Sequence, residues 1–598
     1  MLNDTYDATL ILNEAMKYAR KLKKQKTEES VEPEKTKIAI LGSYSIQFFR
    51  IILQYMLHKE GIVTDVYEGD YNGIDMALLD PESEFYKFQA DVVIILPYHE
   101  DVKTLPNPFE QTESIDKKID SVISHYADSW KRINDRMNCH ILQANFVIPN
   151  LTSLGILESN YEFSYTHFLK KINLLLEEKR ASNVTIIDMD QMASRVGKNN
   201  WFDHSAYFMN KAGFSMDHMP YAVKTFVDAI KALRGKIRKC LVLDLDNTLW
   251  GGVVAECNYD GILLDPNQAE GEAYRAFQQY ILNLRKRGVI LAVCSKNDEP
   301  VAKEPFEKNE NMILHLSDIS CFTANWNDKV SNIKLIAREL NIGTDSMVFV
   351  DDNPAEREIV RQFMPEVLVV DLPEDVAYYR TALEEAGAFD WIQITKDDIS
   401  RTEYYVEGKK REDFLMSFSD YDDYLQALEM EGNVYDLDES NIPRFVQLIN
   451  KSNQFNLRTR RYNEAEIRSM ISDDQYALLF VKIKDRFSDY GLISCVILKK
   501  VGMDCFIDTW LMSCRVLKRK IENMVCERIR AVANEWQCTS IIGEYIPTAK
   551  NGMVSKLYEE LGFESVDTHI CKTSEESRIY VLKTDSDNKL NYYIKHVD

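Results

Sequence analysis

The chain has 598 residues, with 72 Lys and Arg against 95 Asp and Glu, so its formal net charge is −23. This acidic balance argues against broad nucleic-acid binding, and a hydrophobic content of 45% is that of a globular protein of several domains. No apolar stretch approaches the roughly 20 residues of a membrane span, and no signal-peptide core is evident. The 11 cysteines form no Cys-x-x-Cys pair, which predicts neither disulfides nor zinc and indicates a cytoplasmic protein.

The first part of the chain predicts an α/β domain behind a short leader. Residues 1–36 read as an amphipathic helix followed by a charged linker. From residue 37 to about 235, apolar strands alternate with helices, which predicts a doubly wound, flavodoxin-like sheet. The predicted strands are 37–41, 62–66, 91–96, 141–148 and 184–188.

The first of these strands ends in Gly42-Ser43, which resembles the start of SGNH-type hydrolases, where the serine is the nucleophile. The Asp-x-x-His pair of those enzymes is not matched, because Asp203-His204 and Asp217-His218 are adjacent pairs. We therefore expect a degenerate SGNH-like domain that shapes or covers the neighbouring active site, and we favour this over hydrolysis by Ser43.

A second α/β region, residues 236–375, is built around residues 240–243, a predicted buried strand that runs directly into Asp244, Asp246 and Thr248. Open α/β sheets bind ligands at the carboxyl ends of their strands. Closely spaced carboxylates repel one another unless a cation lies between them, and oxygen ligands favour a hard metal ion. The spacing therefore predicts a Mg²⁺ site.

Three further motifs follow in order. A strand over 289–294 leads to Ser295, Lys329 opens a helical pattern, and a strand over 347–350 ends in Asp351-Asp352. Together with Asp-x-Asp-x-Thr, they resemble the four motifs of the haloacid dehalogenase (HAD) superfamily. The intervals between motifs leave no room for a separate cap domain, which predicts an open site for a macromolecular substrate or one enclosed by flanking domains.

The HAD resemblance implies a role for each motif residue. Asp244 is the expected nucleophile, and Asp246 the expected general acid and base. Ser295 and Lys329, with Thr248, are expected to hold phosphoryl oxygens. The expected metal ligands are Asp244, the carbonyl of Asp246, Asp352 and Asp351.

The last part of the chain predicts a helical connector over 376–430 and a third domain over 431–598. Its predicted elements resemble the GNAT acyltransferase fold: helices at 442–453, 521–534 and 553–561, and strands at 477–483, 491–498, 505–512 and 540–543. The GNAT signature Arg/Gln-x-x-Gly-x-Gly/Ala corresponds here to a run that begins at Arg515 and has lysine at both small positions, Lys518 and Lys520.

Glycine lets the backbone approach a pyrophosphate, so these lysines argue against ordinary acetyl-CoA binding. A single phosphate, such as that of a carrier protein's phosphopantetheine arm, fits better. The candidate acyl or pantetheine site comprises Cys514, Arg515, Lys518 and Arg519. Cys294, before Ser295, is a second candidate thiol, but strand alternation points it away from the site.

Six segments together closely resemble the FkbH-like family of HAD subfamily IIIC proteins: 243–253, 292–298, 324–329, 348–357, 452–461 and 508–517. This resemblance implies a Mg²⁺-dependent enzyme that removes phosphate from 1,3-bisphosphoglycerate and loads the glyceryl unit onto an acyl carrier protein. A plain HAD phosphatase acting on a small phosphorylated metabolite, in surface-polysaccharide or secondary-metabolite biosynthesis, is the alternative. A non-catalytic scaffold is disfavoured by the intact motifs.

Overall fold

The computed structural model describes residues 8–25, 35–394, 396–399, 414–415, 418, 420–452, 454–513, 516–548, 551–566, 577–585 and 590–597. The chain divides into two compact units, Met1–Lys231 with Asn463–Glu466, and Ala232–Tyr462 with Ile467–Asp598. The first unit contains one sheet and the second contains two. The predicted class, a multidomain α/β protein, is confirmed.

The sheet of the first unit is parallel and has the order β2-β1-β3-β4-β5, as predicted for a doubly wound domain. Its strands are β1 Thr36–Gly42, β2 Thr64–Glu68, β3 Val92–Leu96, β4 His140–Ala144 and β5 Val184–Ile187. The helices are Ala8–Gln25, Gln47–Lys59, Ile74–Leu79, Glu84–Phe88, Thr112–Asn134, Tyr165–Lys179, Met189–Val196, Lys198–Trp201, His204–Asn210 and Met219–Leu233. Most of the predicted linker, residues 26–34, lies outside the described residues.

The second sheet is also parallel and has the order β10-β9-β6-β7-β8. Its strands are β6 Cys240–Leu243, β7 Ile290–Ser295, β8 Cys321–Ala324, β9 Met347–Val350 and β10 Leu368–Val369. The helices around it are Val254–Gly261, Ala269–Lys286, Glu299–Lys308, Lys329–Glu339, Pro354–Phe363 and Tyr379–Glu385. Because β6 lies between β9 and β7, three predicted motifs follow adjacent strands.

The intervals between the motifs are short, as predicted. From β6 to β7 the chain forms only two helices, and from β7 to Lys329 one helix, one 3-10 turn and β8. The first of these helices, Val254–Gly261, was predicted as a turn region, and it is kinked at Asn258, where φ is +59°. An eight-residue helix with a break has too little periodicity to be recognised in the sequence.

The third sheet has eight strands in the order β16-β17-β15-β14-β13-β12-β11-β18. They are β11 Met430–Asp436, β12 Tyr476–Lys484, β13 Asp489–Val501, β14 Asp504–Met512, β15 Ser540–Tyr545, β16 Glu564–Val566, β17 Arg578–Lys583 and β18 Ile594–His596. Neighbours are antiparallel except for the parallel pairs β14–β15 and β11–β18. This is the predicted GNAT-like sheet, with four strands, β11, β16, β17 and β18, that were not predicted.

Helices of this region are Lys396–Ile399, Tyr421–Ala427, Ile442–Lys451, Glu464–Ile471, Ile521–Glu535 and Leu557–Glu560. The predicted helix over 553–561 is wrong in extent, because its first part is a 3-10 turn, Gly552–Val554, and only Leu557–Glu560 is α-helical. Residues 401–413 of the predicted helical connector lie outside the described residues.

A short segment of the chain lies between the ends of β14 and β15. The two strands pair only as far as Ile507 and Gly543. Beyond that point Leu457 donates its N–H to the carbonyl of Trp510 (3.2 Å) and accepts from the N–H of Ile546 (2.9 Å). The segment Phe455–Arg458 therefore acts as an inserted strand, which we call the inserted segment.

Arg458 anchors the inserted segment through buried charges. Its guanidinium lies 2.9 Å from Oδ1 of Asp508 on β14 and 2.8 Å from Oε2 of Glu544 on β15. All three side chains are almost completely buried. Two buried carboxylates thus share Arg458 as a partner, and Asp508 also pairs with Arg460 at 2.9 Å.

We expect Arg458→Ala to lower the free energy of unfolding of this domain by about 3–5 kcal/mol, because it removes a buried cation that pairs with two buried carboxylates. The matched control is Arg528→Ala, which removes ion pairs with the exposed Asp436 and Glu535 and should cost at most about 1 kcal/mol for each pair. Urea denaturation followed by tryptophan fluorescence measures both. Equal losses in the two variants would contradict the assignment.

Candidate active site

The ends of three adjacent strands gather the predicted motif residues at one edge of the second sheet. Asp244 follows β6, Ser295 ends β7, and Asp351 follows β9. The N–H of Asp244 donates to the carbonyl of Val350, the last residue of β9, at 2.9 Å. Side chains that are separated by up to 107 positions therefore share one small volume.

Lys329 is the cation at the centre of this group. It begins the helix Lys329–Glu339, whose N-cap Asp328 accepts from the N–H of Ser331. Its Nζ lies 2.7 Å from Asp244 Oδ1 and 3.2 Å from Asp351 Oδ2, although the side chain is only 2% exposed. Burial alone would lower the pKa of Lys329, but the two carboxylates outweigh it and raise the pKa, so the ammonium stays charged.

Three carboxylates lie close together at this site, and two of them contact the lysine. Ligand oxygens of Asp244, Asp351 and Asp352 lie within 4.8 Å of one another. Burial, and then the charge of Asp244, raise the pKa of Asp351 to about 6 and also raise the pKa of Asp352. One lysine cannot balance three carboxylates, and an all-oxygen donor set suits a hard divalent cation. The residues present therefore fit Mg²⁺.

Asp246 is held by three hydrogen bonds. Its Oδ1 accepts from Trp250 Nε1 and the N–H of Val254, both at 3.0 Å, and its Oδ2 accepts from Asn297 Nδ2 at 3.1 Å. Burial is the main cause of a raised pKa at Asp246. A carboxyl group with a raised pKa, fixed in orientation beside Asp244, is suited to carry a proton.

Asn297 and Trp250 were not predicted as functional residues. Asn297 is buried two positions after Ser295, and Trp250 is buried four positions after Asp246. In the sequence, the only signal for Asn297 and Trp250 is that they lie inside the motif segments 292–298 and 243–253. Ser295 is also buried, and within the described part of the chain its hydroxyl has no hydrogen-bond partner, which leaves it available to a phosphoryl oxygen.

Thr248 and Arg357 hold the loop that follows β9. Thr248 Oγ1 accepts from the N–H of Asp352 at 3.1 Å and lies 3.4 Å from Asp352 Oδ1. Arg357 donates to the carbonyls of Asp351 (2.8 Å) and Asp352 (2.7 Å). Thr248 was predicted to hold phosphate, and the structure adds a contact of its hydroxyl with the loop of Asp351 and Asp352.

The turn after Asp246 is also fixed from outside. Asn247 has φ +54°, and the hydroxyls of Tyr274 and Tyr379 donate to its carbonyl at 3.3 and 3.2 Å. Its side-chain oxygen accepts from the N–H of Gly252 at 2.8 Å. An asparagine tolerates this left-handed conformation better than most residues, so the turn is held at modest cost.

The predicted acyl or pantetheine site is only partly described, because Cys514 and Arg515 lie outside the described residues. Lys518 and Lys520 both have positive φ, +64° and +57°, the conformation for which glycine is favoured. Arg519 pairs with Asp485 at 3.0 Å and Lys520 with Asp422 at 2.6 Å. These two cations are therefore neutralised within the domain.

The other candidate thiol is buried. Cys294 has no solvent exposure, and burial raises its pKa to about 12. A thiol with this pKa is almost entirely protonated near neutral pH, which disfavours it as a nucleophile.

The sheet order, the absence of a cap between the motifs and the Asp244–Lys329–Asp351 group define a phosphatase domain of the HAD type, and the chain is an enzyme of that class. Residues 239–362 match the NLI interacting factor-like phosphatase family. Residues 37–231 match the family of FkbH N-terminal domains.

One solved structure is similar to most of the chain. The N-terminal part of the protein BF1531 from Bacteroides fragilis, which contains a phosphatase domain complexed with Mg, is 33% identical over 63% of this chain and 99% of its own, with a TM-score of 0.57. The chain belongs to the FkbH-like family.

The C-terminal region was also compared with solved structures. The ribosomal-protein-S18-alanine N-acetyltransferase of Escherichia coli is 13% identical over 27% of this chain and 99% of its own, with a TM-score of 0.20. A GNAT acetyltransferase of Staphylococcus aureus is 11% identical over 26% of this chain and 99% of its own, with a TM-score of 0.21.

Comparison with curated protein sequences gave no match. Among the described residues, no helix has the length and apolar character needed to cross a membrane.

The position of Thr248 yields a prediction that distinguishes support of Asp352 from direct contact with the phosphate of the substrate. If the hydroxyl supports Asp352, Thr248→Val should raise the Mg²⁺ concentration needed for half-maximal phosphatase activity by about 10–100-fold, the usual effect of losing a support for a metal ligand. Thr248→Ser should restore it. The measurement is p-nitrophenyl phosphate hydrolysis over a Mg²⁺ series. A raised KM for substrate with an unchanged Mg²⁺ requirement would favour a phosphate contact instead.

Proposed function

We propose that this protein is a Mg²⁺-dependent phosphatase and glyceryl transferase that dephosphorylates an acyl phosphate such as 1,3-bisphosphoglycerate and loads the glyceryl unit onto an acyl carrier protein. The observation that carries the phosphatase part is the contact of Asp244 with the buried Lys329, beside Asp351. The FkbH family match supports the substrate and the carrier. BF1531, which holds Mg, supports the metal.

Each motif residue has a separate role in the proposed phosphoryl transfer. We infer that Asp244 is the nucleophile, because its carboxylate is exposed enough to meet substrate while Lys329 fixes one of its oxygens. Lys329 and Ser295 offer a cation and a hydroxyl to the phosphoryl oxygens. Asp246 gives a proton to the leaving oxygen and later takes one from water. Mg²⁺, held by Asp244, the Asp246 carbonyl, Asp351 and Asp352, would neutralise charge on the transferred group.

Glyceryl loading requires attack at a different atom of the same substrate. Attack of Asp244 on phosphorus breaks the P–O bond and releases the acid, so the activated carbonyl is lost. Loading requires the carrier thiol to attack the carbonyl carbon, which breaks the C–O bond and releases the 1-phosphate as inorganic phosphate. The 3-phosphate is an ordinary phosphate ester, and its hydrolysis through attack of Asp244 on that phosphorus leaves a glyceryl rather than a 3-phosphoglyceryl thioester. The uncapped site supports this proposal, because a carrier's long arm needs an open approach.

The alternative, a phosphatase for a small phosphorylated metabolite, is favoured by one observation. Arg519, a member of the candidate pantetheine site, and its neighbour Lys520 are already paired with carboxylates. A carrier's phosphate would therefore meet less free positive charge there than the sequence suggests.

The deciding experiment incubates the full chain with 1,3-bisphosphoglycerate, Mg²⁺ and a phosphopantetheinylated acyl carrier protein. Mass spectrometry of the carrier should show a glyceryl thioester. Phosphate release with an unmodified carrier would instead support the small-metabolite phosphatase. No phosphate release from any phosphate ester or acyl phosphate would contradict both.

We expect Asp244→Asn to lower kcat for p-nitrophenyl phosphate by at least about three orders of magnitude, because the amide keeps the shape but loses the attacking charge. Asp246→Asn should have a comparable effect on kcat. The matched control is Asp116→Asn, an exposed residue of the N-terminal unit that pairs with Lys171, which should retain activity. Full activity of Asp244→Asn would exclude an aspartyl nucleophile.

The raised pKa of Asp351 yields a pH prediction. The carboxyl group binds a proton below its pKa of about 6, and a protonated carboxyl is a poor metal ligand. Mg²⁺ affinity should therefore be full well above pH 6 and fall as the pH drops through that value. Calorimetric Mg²⁺ titrations at pH 7.5, 6.5 and 5.5 measure this. The same dissociation constant at all three pH values would show that Asp351 does not bind the metal as a titrating ligand.

A further inference from the structure

The N-terminal sheet has a feature that the phosphatase does not use. In the order β2-β1-β3-β4-β5, β2 pairs with one edge of β1 and β3 pairs with its other edge. The direction in which strands are added to the sheet therefore reverses between β1 and β3. Doubly wound sheets bind ligands at such a switch point, outside the carboxyl ends of the two strands. Here Ser43 follows β1, and the 3-10 turn His99–Asp101 follows β3.

Ser43 and Asp101 meet at this switch point. The Ser43 hydroxyl donates to Asp101 Oδ2, which also accepts the N–H of Tyr98 at 2.8 Å. The N–H of Ser43 donates to the carbonyl of Leu96 at 3.0 Å, which fixes the serine against the end of β3. Ser43 keeps 9% exposure, and Asp101 is half-buried.

The pair is not arranged for nucleophilic hydrolysis. Within the described part of the chain, Asp101 is the one side chain that hydrogen-bonds the Ser43 hydroxyl. His99 instead contacts the hydroxyl of Tyr165, at 3.2 Å from its Nδ1, and burial lowers the pKa of His99 to about 4. A serine without a histidine base is a weak nucleophile.

The pair presents acceptors rather than donors. Ser43 uses its proton on Asp101, so its oxygen offers lone pairs, and Asp101 Oδ1 accepts no hydrogen bond among the described residues. A ligand must therefore donate. Glu100 and Asp75 add negative charge nearby, with Lys103 opposing them, so an anion is disfavoured.

Aromatic rings lie beside the Ser43–Asp101 pair, and one of them makes a cation–π contact with a lysine of the same domain. Tyr98 stacks on Tyr207 with a centroid distance of 4.9 Å, and the neighbouring Phe208 is largely exposed. Lys211 Nζ lies 4.7 Å from the centre of the Tyr207 ring. This ring already has an ammonium partner, which disfavours a cationic ligand there.

We propose that the switch point of the N-terminal sheet binds a neutral, polyhydroxylated ligand, a sugar or polyol, whose hydroxyls donate to Ser43 Oγ and Asp101 Oδ1. The site binds this ligand and does not hydrolyse it. It is independent of the phosphatase site, and its ligand carries no phosphate.

Saturation-transfer NMR on the full chain, with glycerol and methyl glycosides of glucose, galactose and N-acetylglucosamine, tests the proposal. At least one should bind. Ser43→Ala and Asp101→Asn should each weaken that binding at least tenfold. The control Ser129→Ala, a similarly buried serine that bonds its own helix at the carbonyl of His125, should not. Asp244→Asn should abolish phosphatase activity and leave binding unchanged.

Four results would overturn the proposal: no binding of any neutral probe at 50-fold excess, binding unaffected in both variants while circular dichroism shows them folded, tighter binding of methyl glucuronide than of methyl glucoside, or tighter binding of choline. Labelling of Ser43 by a fluorophosphonate would show an activated nucleophile and contradict the binding-only assignment. None of these outcomes bears on the phosphatase, whose readout is separate.

Discussion

The buried ammonium of Lys329 is the interaction on which the phosphatase site depends. It contacts both Asp244 and Asp351, which follow the different strands β6 and β9 and would repel each other without it. A buried lysine is tolerated only with such partners, since an uncompensated charge in the interior costs several kcal/mol. The sheet order therefore has to place β6 beside β9, and the helix Lys329–Glu339 has to begin at their ends.

A second layer of contacts keeps this group rigid. Trp250 and Asn297 hold Asp246, while Thr248 and Arg357 hold the loop of Asp351 and Asp352. Each contact is made by a neutral donor or to a backbone carbonyl, so the layer restrains the carboxylates without cancelling their charge. The group keeps the net negative charge that a divalent cation requires.

The sequence predicted the residues at strand ends, because an apolar run followed by carboxylates marks both the strand and the edge where ligands bind. It did not predict the partners of those residues. Asn297 contacts Asp246 across 51 positions, and Arg357 donates to two backbone carbonyls. Neither contact can be inferred from a repeating pattern of residues in the sequence. The contact of Thr248 with the loop of Asp352 was missed for the same reason, since only the structure shows the loop that its hydroxyl meets. The inserted segment was missed because it depends on the divergence of β14 and β15, which no local pattern encodes.

The inserted segment has a consequence for any ligand with an extended, peptide-like arm. The free edges beyond Ile507 and Gly543 are where such an arm would find main-chain partners, and Leu457 already uses them. A tethered segment competes at an effective concentration in the millimolar range for short linkers. A diffusing ligand at micromolar concentration is therefore outcompeted by the chain itself, so a coenzyme that reaches this domain has to bind at its surface rather than between its strands.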